Sequence, residues 1–227
     1  SVNSLQLVVP NGATTGPVEV TVNGTPAGSV EFTVLVPSTL PIDEVDDSID
    51  LGAATQSLAV LPDGLRGYAV STATDQVIPV DLVALTNGTP IAVGDEPVAA
   101  VSDVNGAFVY VANRGSNSVS VIDTAADVVV DTILLQGSPT EIVASPNGDY
   151  VYVVTPDVDA VEVLDVDVTS ATYNTATARF TTGGTTSGAS ISPDGGTLFL
   201  GTEDGFVAVS LEPTDFGATA RFTTGGT

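Results

Sequence analysis

The chain has 227 residues and a formal net charge of −24, from 28 acids against four arginines, and 43% of it is hydrophobic. That composition gives a core-forming chain, enough for one large all-β domain or two smaller ones, and excludes a disordered one. The acidity argues against nucleic acid and anionic lipid as partners. The absence of Cys, His and Lys removes Ser-His-Asp and Cys-His sites, Schiff bases and haem attachment.

No apolar run approaches ~18 residues, so no membrane span is expected. There is no initiating Met and no visible signal peptide, so the sequence reads as a mature or excised piece. Residues 1–36 open with "LQLVVPNGATTGPVEVTVNGTPAGSVEFTV", three alternating strands separated by Asn-Gly and Gly-Pro turns. On "VPNGATTGPVEVTV" and "VEFTV" this segment resembles the second half of an IPT/TIG domain, an immunoglobulin-like sandwich. The resemblance implies a spacer or ligand-presenting module whose first half is cut away or supplied by another molecule. Residues 37–45 read as an acidic linker stiffened by Pro37 and Pro41.

From residue 46 the chain repeats. The phrase "ATARFTTGGT" occurs at 176–185 and again at 218–227. Ile49, Ile91, Ile133, Phe180 and Phe222 are separated by 42, 42, 47 and 42 residues. A turn glycine follows at Gly64, Gly106, Gly148 and Gly195, then an aromatic at Tyr68, Tyr110, Tyr152 and Phe199. Asp81, Asp123 and Asp165 recur 42 apart, and the fourth unit departs there with Ser210-Leu211. The longer step comes from extra residues in "VTSATYNTAT". Each unit reads as four short strands. In the second these are 98–102, 107–113, 118–123 and 128–134, with Asn105-Gly106 expected to form a type I′ hairpin turn. The segment "SIDLG" (48–52) reads as an unattached fourth strand ahead of the first unit.

Four strands in ~42 residues make one blade of a β-propeller. "FVYVANRGSNSVSVIDTAADVVVDTI" (108–133), "SPNGDYVYVV" (145–154) and "SPDGGTLFLG" (192–201) resemble the repeats of the YVTN β-propeller family. That resemblance implies a ring commonly of seven blades, found in microbial surface-layer and secreted proteins, with some relatives similar to lactonases or quinoprotein dehydrogenases. The fold expected is therefore all-β, with four recognisable blades over 46–227 and a partial Ig-like sandwich before them. A seven-bladed ring would need roughly 120 further residues at ~42 per blade. Closure by four blades, or pairing of open edges between copies, are the alternatives.

Propellers usually meet partners on the face made by second-to-third strand turns and blade-to-blade links. Here that face would carry Asp95, Glu96, Asn113, Arg114, Asp157, Asp159, Glu203 and Asp204. No cofactor is expected except calcium, which takes carboxylate oxygens. Its candidates are the pair Asp157 and Asp159 and the linker acids Asp43, Glu44, Asp46 and Asp47, weighed against ordinary solvated loops. Asn23 and Asn87 stand in Asn-Gly-Thr, which is both a glycan acceptor pattern and a hairpin turn.

With catalytic side chains this sparse, the expected function is non-enzymatic. The chain would be an extracellular or cell-surface protein of a bacterium or archaeon, serving display, adhesion or assembly through protein, glycan or copies of itself. The alternatives are a fibre subunit assembled by strand pairing and a truncated enzyme of lactonase or quinoprotein type.

Overall fold

The computed structural model describes residues 16–22, 25–32, 48–182, 186–202, 205–211 and 219–223. The chain separates into two compact units, Ser1–Asp46 and Asp47–Thr227. In the first, β1 (Gly16–Val22) and β2 (Thr25–Phe32) form an antiparallel hairpin with a register shift at Val20/Thr21. The first strand expected in residues 1–36 and the linker lie outside the described residues.

The second unit is a set of β-propeller blades. Blade 1 contains β3 (Ser57–Val60), β4 (Arg66–Ser71), β5 (Gln76–Asp81) and an outer strand split into β6 (Thr86–Asn87) and β7 (Ile91–Ala92). Blade 2 contains β8 (Pro97–Ser102), β9 (Phe108–Asn113), β10 (Ser118–Asp123) and β11 (Val128–Leu134). Blade 3 contains β12 (Glu141–Ala144), β13 (Tyr150–Thr155), β14 (Ala160–Asp165) and β15 (Thr175–Thr181). Blade 4 contains β16 (Thr186–Ile191), β17 (Thr197–Thr202), β18 (Gly205–Ser210) and β19 (Thr219–Thr223). Each blade is an antiparallel meander, and the first strands of successive blades lie side by side. No helix among the described residues is long and apolar enough to cross a membrane.

Burial follows from stacking sheet on sheet. A middle strand with neighbours on both faces cannot alternate apolar and polar residues, and β9, β10, β13 and β14 are buried almost throughout. Tyr68 packs with Val109, Val111 and Ile122 of blade 2. Tyr110 packs with Ile142, Val151 and Leu164 of blade 3. Tyr152 packs with Leu198, Leu200 and Val209 of blade 4. Phe199 occupies the same repeat position in blade 4 but is 40% exposed, meeting Phe206 edge-on at 6.2 Å.

Two local expectations are corrected. Residues 48–52 form no strand. They still behave as the repeat dictates: Ile49, Leu51 and Ala53 pack on Ala69, Ile78 and Val80, covering the face of blade 1 that no other described blade meets. Ile91, Ile133 and Phe180 make the corresponding contacts with blades 2, 3 and 4. The second correction concerns Asn105-Gly106. Gly106 N–H donates to Asp103 O at 3.2 Å, and only Gly106 in that turn has positive φ, +71°. This is a type I turn ended by a left-handed glycine rather than a type I′ turn. Gly64, Gly148 and Gly195 repeat it, donating to Leu61 O, Ser145 O and Ser192 O.

Candidate functional site

One end of the blades is built by the second-to-third strand turns and the links between blades. In blades 1 to 3 the turn ends on a left-handed residue: Asp75, Asn117 and Asp159 in that order. Their carbonyls accept the link amides of Val93 (3.1 Å), Leu135 (2.9 Å) and Thr182 (3.3 Å). Asp and Asn tolerate this backbone because their short side chains bond locally. The periodicity that defines the blades therefore also ties every link to the turn of the blade before it.

Of the residues expected on this face, Asp95, Glu96, Arg114, Asp157 and Asp159 lie on these turns and links. Arg114 Nε lies 3.1 Å from Glu96 Oε2, with both side chains about half exposed. The Arg114 and Gly115 amides donate to Glu96 O and Asp95 O, each at 2.9 Å. Asp157 Oδ1 accepts the Ser138 amide at 2.8 Å, and Asp159 Oδ1 accepts the Thr182 hydroxyl at 2.6 Å. Asn113 does not face solvent. It is fully buried, and its Nδ2 donates to Ser118 Oγ (3.1 Å) and Ser120 Oγ (3.0 Å). Glu203, Asp204, Asn23 and the linker acids lie outside the described residues. Asn87 is exposed on β6.

Asp157 and Asp159 thus spend carboxylate oxygens on closing the link. Among the described residues no three acids gather to hold a metal ion. The cluster that remains open to a ligand is Asp95, Glu96 and Arg114: two carboxylates and a guanidinium, on the link into blade 2 and the β9–β10 turn. It can orient an anionic or carbonyl group and supply a carboxylate base.

Two polar clusters were not read from the sequence. Glu162 on β14 is 1% exposed, and its Oε1 accepts the amides of Gln136 (2.8 Å) and Gly137 (3.2 Å). The available signal was an acid inside the apolar run "AVEVLD" of a strand covered on both faces. At the opposite end, Arg66 grips Asp127 through two hydrogen bonds of 2.9 and 2.8 Å and donates to Thr124 O at 2.7 Å. The Tyr68 hydroxyl donates to Asp127 Oδ1 at 2.6 Å. Blade 1 is thereby stitched to the β10–β11 turn of blade 2. Burial, then the bond to Asp127, pushes the Tyr68 hydroxyl well above its ordinary range. Burial pushes Tyr152 up to about 12.

The recurring aspartates that end the third strands of blades 1, 2 and 3 are turn closers. Asp81 Oδ1 accepts the amides of Val83 and Ala84, and Asp123 Oδ1 those of Ala125 and Ala126. The backbone bonds from Ala84 and Val83 hold Asp81 below the usual carboxylate range. Asp165 is also held below it. Its partial burial works the other way but is outweighed by bonds from Ser170, Thr172 and the Asp167 amide. These acids belong to Asx turns and carry no separate chemistry.

In fold the chain is similar to hydrazine synthase of Kuenenia stuttgartiensis, at 24% identity and a TM-score of 0.67, over 80% of this chain and 53% of that one. It is similar to a protein of Bacteroides uniformis assigned as a 6-phosphogluconolactonase, at 15% identity and 0.63, over 73% and 52%. It is also similar to the dihydro-heme d1 dehydrogenase NirN, at 18% and 0.63, over 87% and 38%. The chain spans about half the length of the first two. No curated protein matches it by sequence. The family model described as lactonase, 7-bladed beta-propeller matches residues 70–189.

These findings correct the expectation of a non-enzymatic display or adhesion module. The matching family is named for an enzyme. The repeats, the blade-on-blade packing and a match over more than half of its length agree: the chain belongs to the lactonase family of seven-bladed β-propellers.

Proposed function

We propose that this chain is the four-blade part of a lactone-hydrolysing propeller enzyme, and that Glu96, Asp95 and Arg114 meet the substrate. The observation that carries the reading is the family match over residues 70–189, which contains all three residues. The cluster suits the reaction. A carboxylate takes a proton from water, the hydroxide adds to the lactone carbonyl, and the ring C–O bond breaks as the leaving oxygen regains a proton. Arg114 is placed to stabilise the oxyanion that forms between these steps. With no His, Cys or Lys in the chain, carboxylates and arginine are the groups available for this work.

The test is hydrolysis of five- and six-membered aldonolactones by the full-length protein, followed by proton release. Turnover is expected, with Arg114→Gln lowering kcat at least tenfold while KM changes little. A folded protein that leaves every such lactone at its spontaneous rate would overturn the reading. The YVTN character of the repeats, the IPT/TIG character of residues 1–36 and a location outside the cell extend the proposal. The acidic, lysine-free composition and the quoted motifs support these extensions.

A further inference from the structure

Blade 3 carries a carboxylate in an unusual place, and blade 2 carries the empty counterpart. Glu162 is buried and caps the Gln136 and Gly137 amides of the link that enters its own blade. One repeat earlier, 42 residues back, Ser120 stands for Glu162, and Gly94 and Asp95 stand for Gln136 and Gly137. The strand registers agree: Ser120 faces Val111 and Thr132, as Glu162 faces Val153 and Arg179. Serine is too short to reach the link. Among the described residues, the amides of Gly94 and Asp95 find no protein acceptor.

A cavity of about 300 Å³ lies at this place, between the outer strand of blade 1 and blade 2. Ser116, Ser118, Ser120 and Thr132 line one side, and Val129 and Leu134 supply an apolar wall. Asn113 backs the serine row. It is 0% exposed, and its Nδ2 holds Ser118 Oγ and Ser120 Oγ in place. A Cβ on Gly94 would lie 2.4 Å from Ser116 Oγ and 2.7 Å from Asn113 Nδ2, so the link approaches this close only as glycine.

We propose that this cavity binds a small hydroxycarboxylate. Its carboxylate takes the Gly94 and Asp95 amides, as the Glu162 carboxylate takes Gln136 and Gly137. Its hydroxyls meet the serine row, and its carbon chain lies on Val129 and Leu134. The overall charge of −24 opposes any anion, but beyond ~8 Å that repulsion is screened at physiological salt. The amides act at hydrogen-bond range, so affinity should rise with ionic strength. Hydroxycarboxylates are also what lactone opening produces, yet binding here needs no turnover. Failure of this proposal leaves the lactonase reading standing, and the reverse.

The test is an amide-resolved NMR titration of the full-length protein with sodium gluconate in 0.15 M NaCl, with glucose and glycerol as neutral controls. Saturable shifts at Gly94 and Asp95 with gluconate alone are expected. Ser120→Glu, which gives blade 2 its own carboxylate, should abolish those shifts and raise Tm. Glu162→Ser should add a second saturable set at Gln136 and Gly137. Unmoved Gly94 and Asp95 amides, an equal response to glucose, or a folded Ser120→Glu protein that titrates like the wild type would each overturn the proposal. If Ser120→Glu does not fold, the wild-type titration decides alone.

Discussion

Tyr152 and Phe199 occupy the same place in two consecutive blades and have opposite fates. Tyr152 is 1% exposed because blade 4 lies over it; Phe199 is 40% exposed because no described blade lies over it. The motif specifies an aromatic on the second strand, but the neighbouring sheet decides whether that aromatic is core. A blade cannot bury its own faces, so its stability lies in the interfaces it shares.

The sharpest way to break that comparison is to truncate both rings. Tyr152→Ala should cost about 3–5 kcal/mol by chemical denaturation, the range for large aromatics removed from a packed core. Phe199→Ala should cost less than about 1 kcal/mol. An equal loss at both sites would mean that Phe199 is covered in the full-length protein.

The next largest effect is expected at the stitch between blades 1 and 2. Asp127→Ala removes the acceptor of Arg66 and Tyr68, but Arg66 and Asp127 are each about a third exposed and partly screened. A loss of about 1–2 kcal/mol is expected, and the double variant with Tyr68→Phe should fall short of additivity. Full additivity would show that the cluster does not act as a unit.

Gly148→Ala tests the turn. Its φ is +83°, and the added Cβ would lie 2.6 Å from Val104 Cγ1, so about 1–2 kcal/mol should be lost. Gly188→Ala, with open space around the new Cβ and no left-handed backbone, is the control.

The smallest effects are those of pH. Asp81 and Asp165 are held below the ordinary carboxylate range, so their stabilisation is complete above about pH 4. It is lost as pH falls through their folded values. Tyr152 is raised to about 12, so its contribution is complete below about pH 10 and lost as pH climbs towards 12. Thermal melts at pH 7, 4 and 3, then at 10 and 11.5, should decline at both ends. A flat acid limb would contradict the turn-closing role of the aspartates.

Much of this architecture is legible in one chain because repeats compare a sequence with itself. The 42-residue offset located the strands, the turn glycines and the aromatics, since each must serve the same geometry in every blade. The type of hairpin turn was not legible. Asn-Gly suits type I′, but the hydrogen bond from Gly106 to Asp103 leaves only the glycine left-handed. Segment 48–52 has the fourth-strand pattern without a strand's partners, so it keeps the packing and loses the ladder.

The site was legible in part. Asp95, Glu96 and Arg114 could be placed on one face because turns and links of like blades share an end. That Asp157 and Asp159 are engaged in closing the link could not be seen, because the partners come from residues 138 and 182. The enzyme-class reading came from the family match, not from side chains, since the chain lacks the residues that usually advertise catalysis.

By itself, then, the sequence determined the period, the strands and the class of fold, because these depend on spacing and apolar pattern along the chain. The tertiary structure alone decided which aromatic is buried, which carboxylates remain open, and that Ser120 leaves a cavity where Glu162 fills one. Those outcomes depend on what the next sheet brings into contact, and contact between blades is not written at any single position.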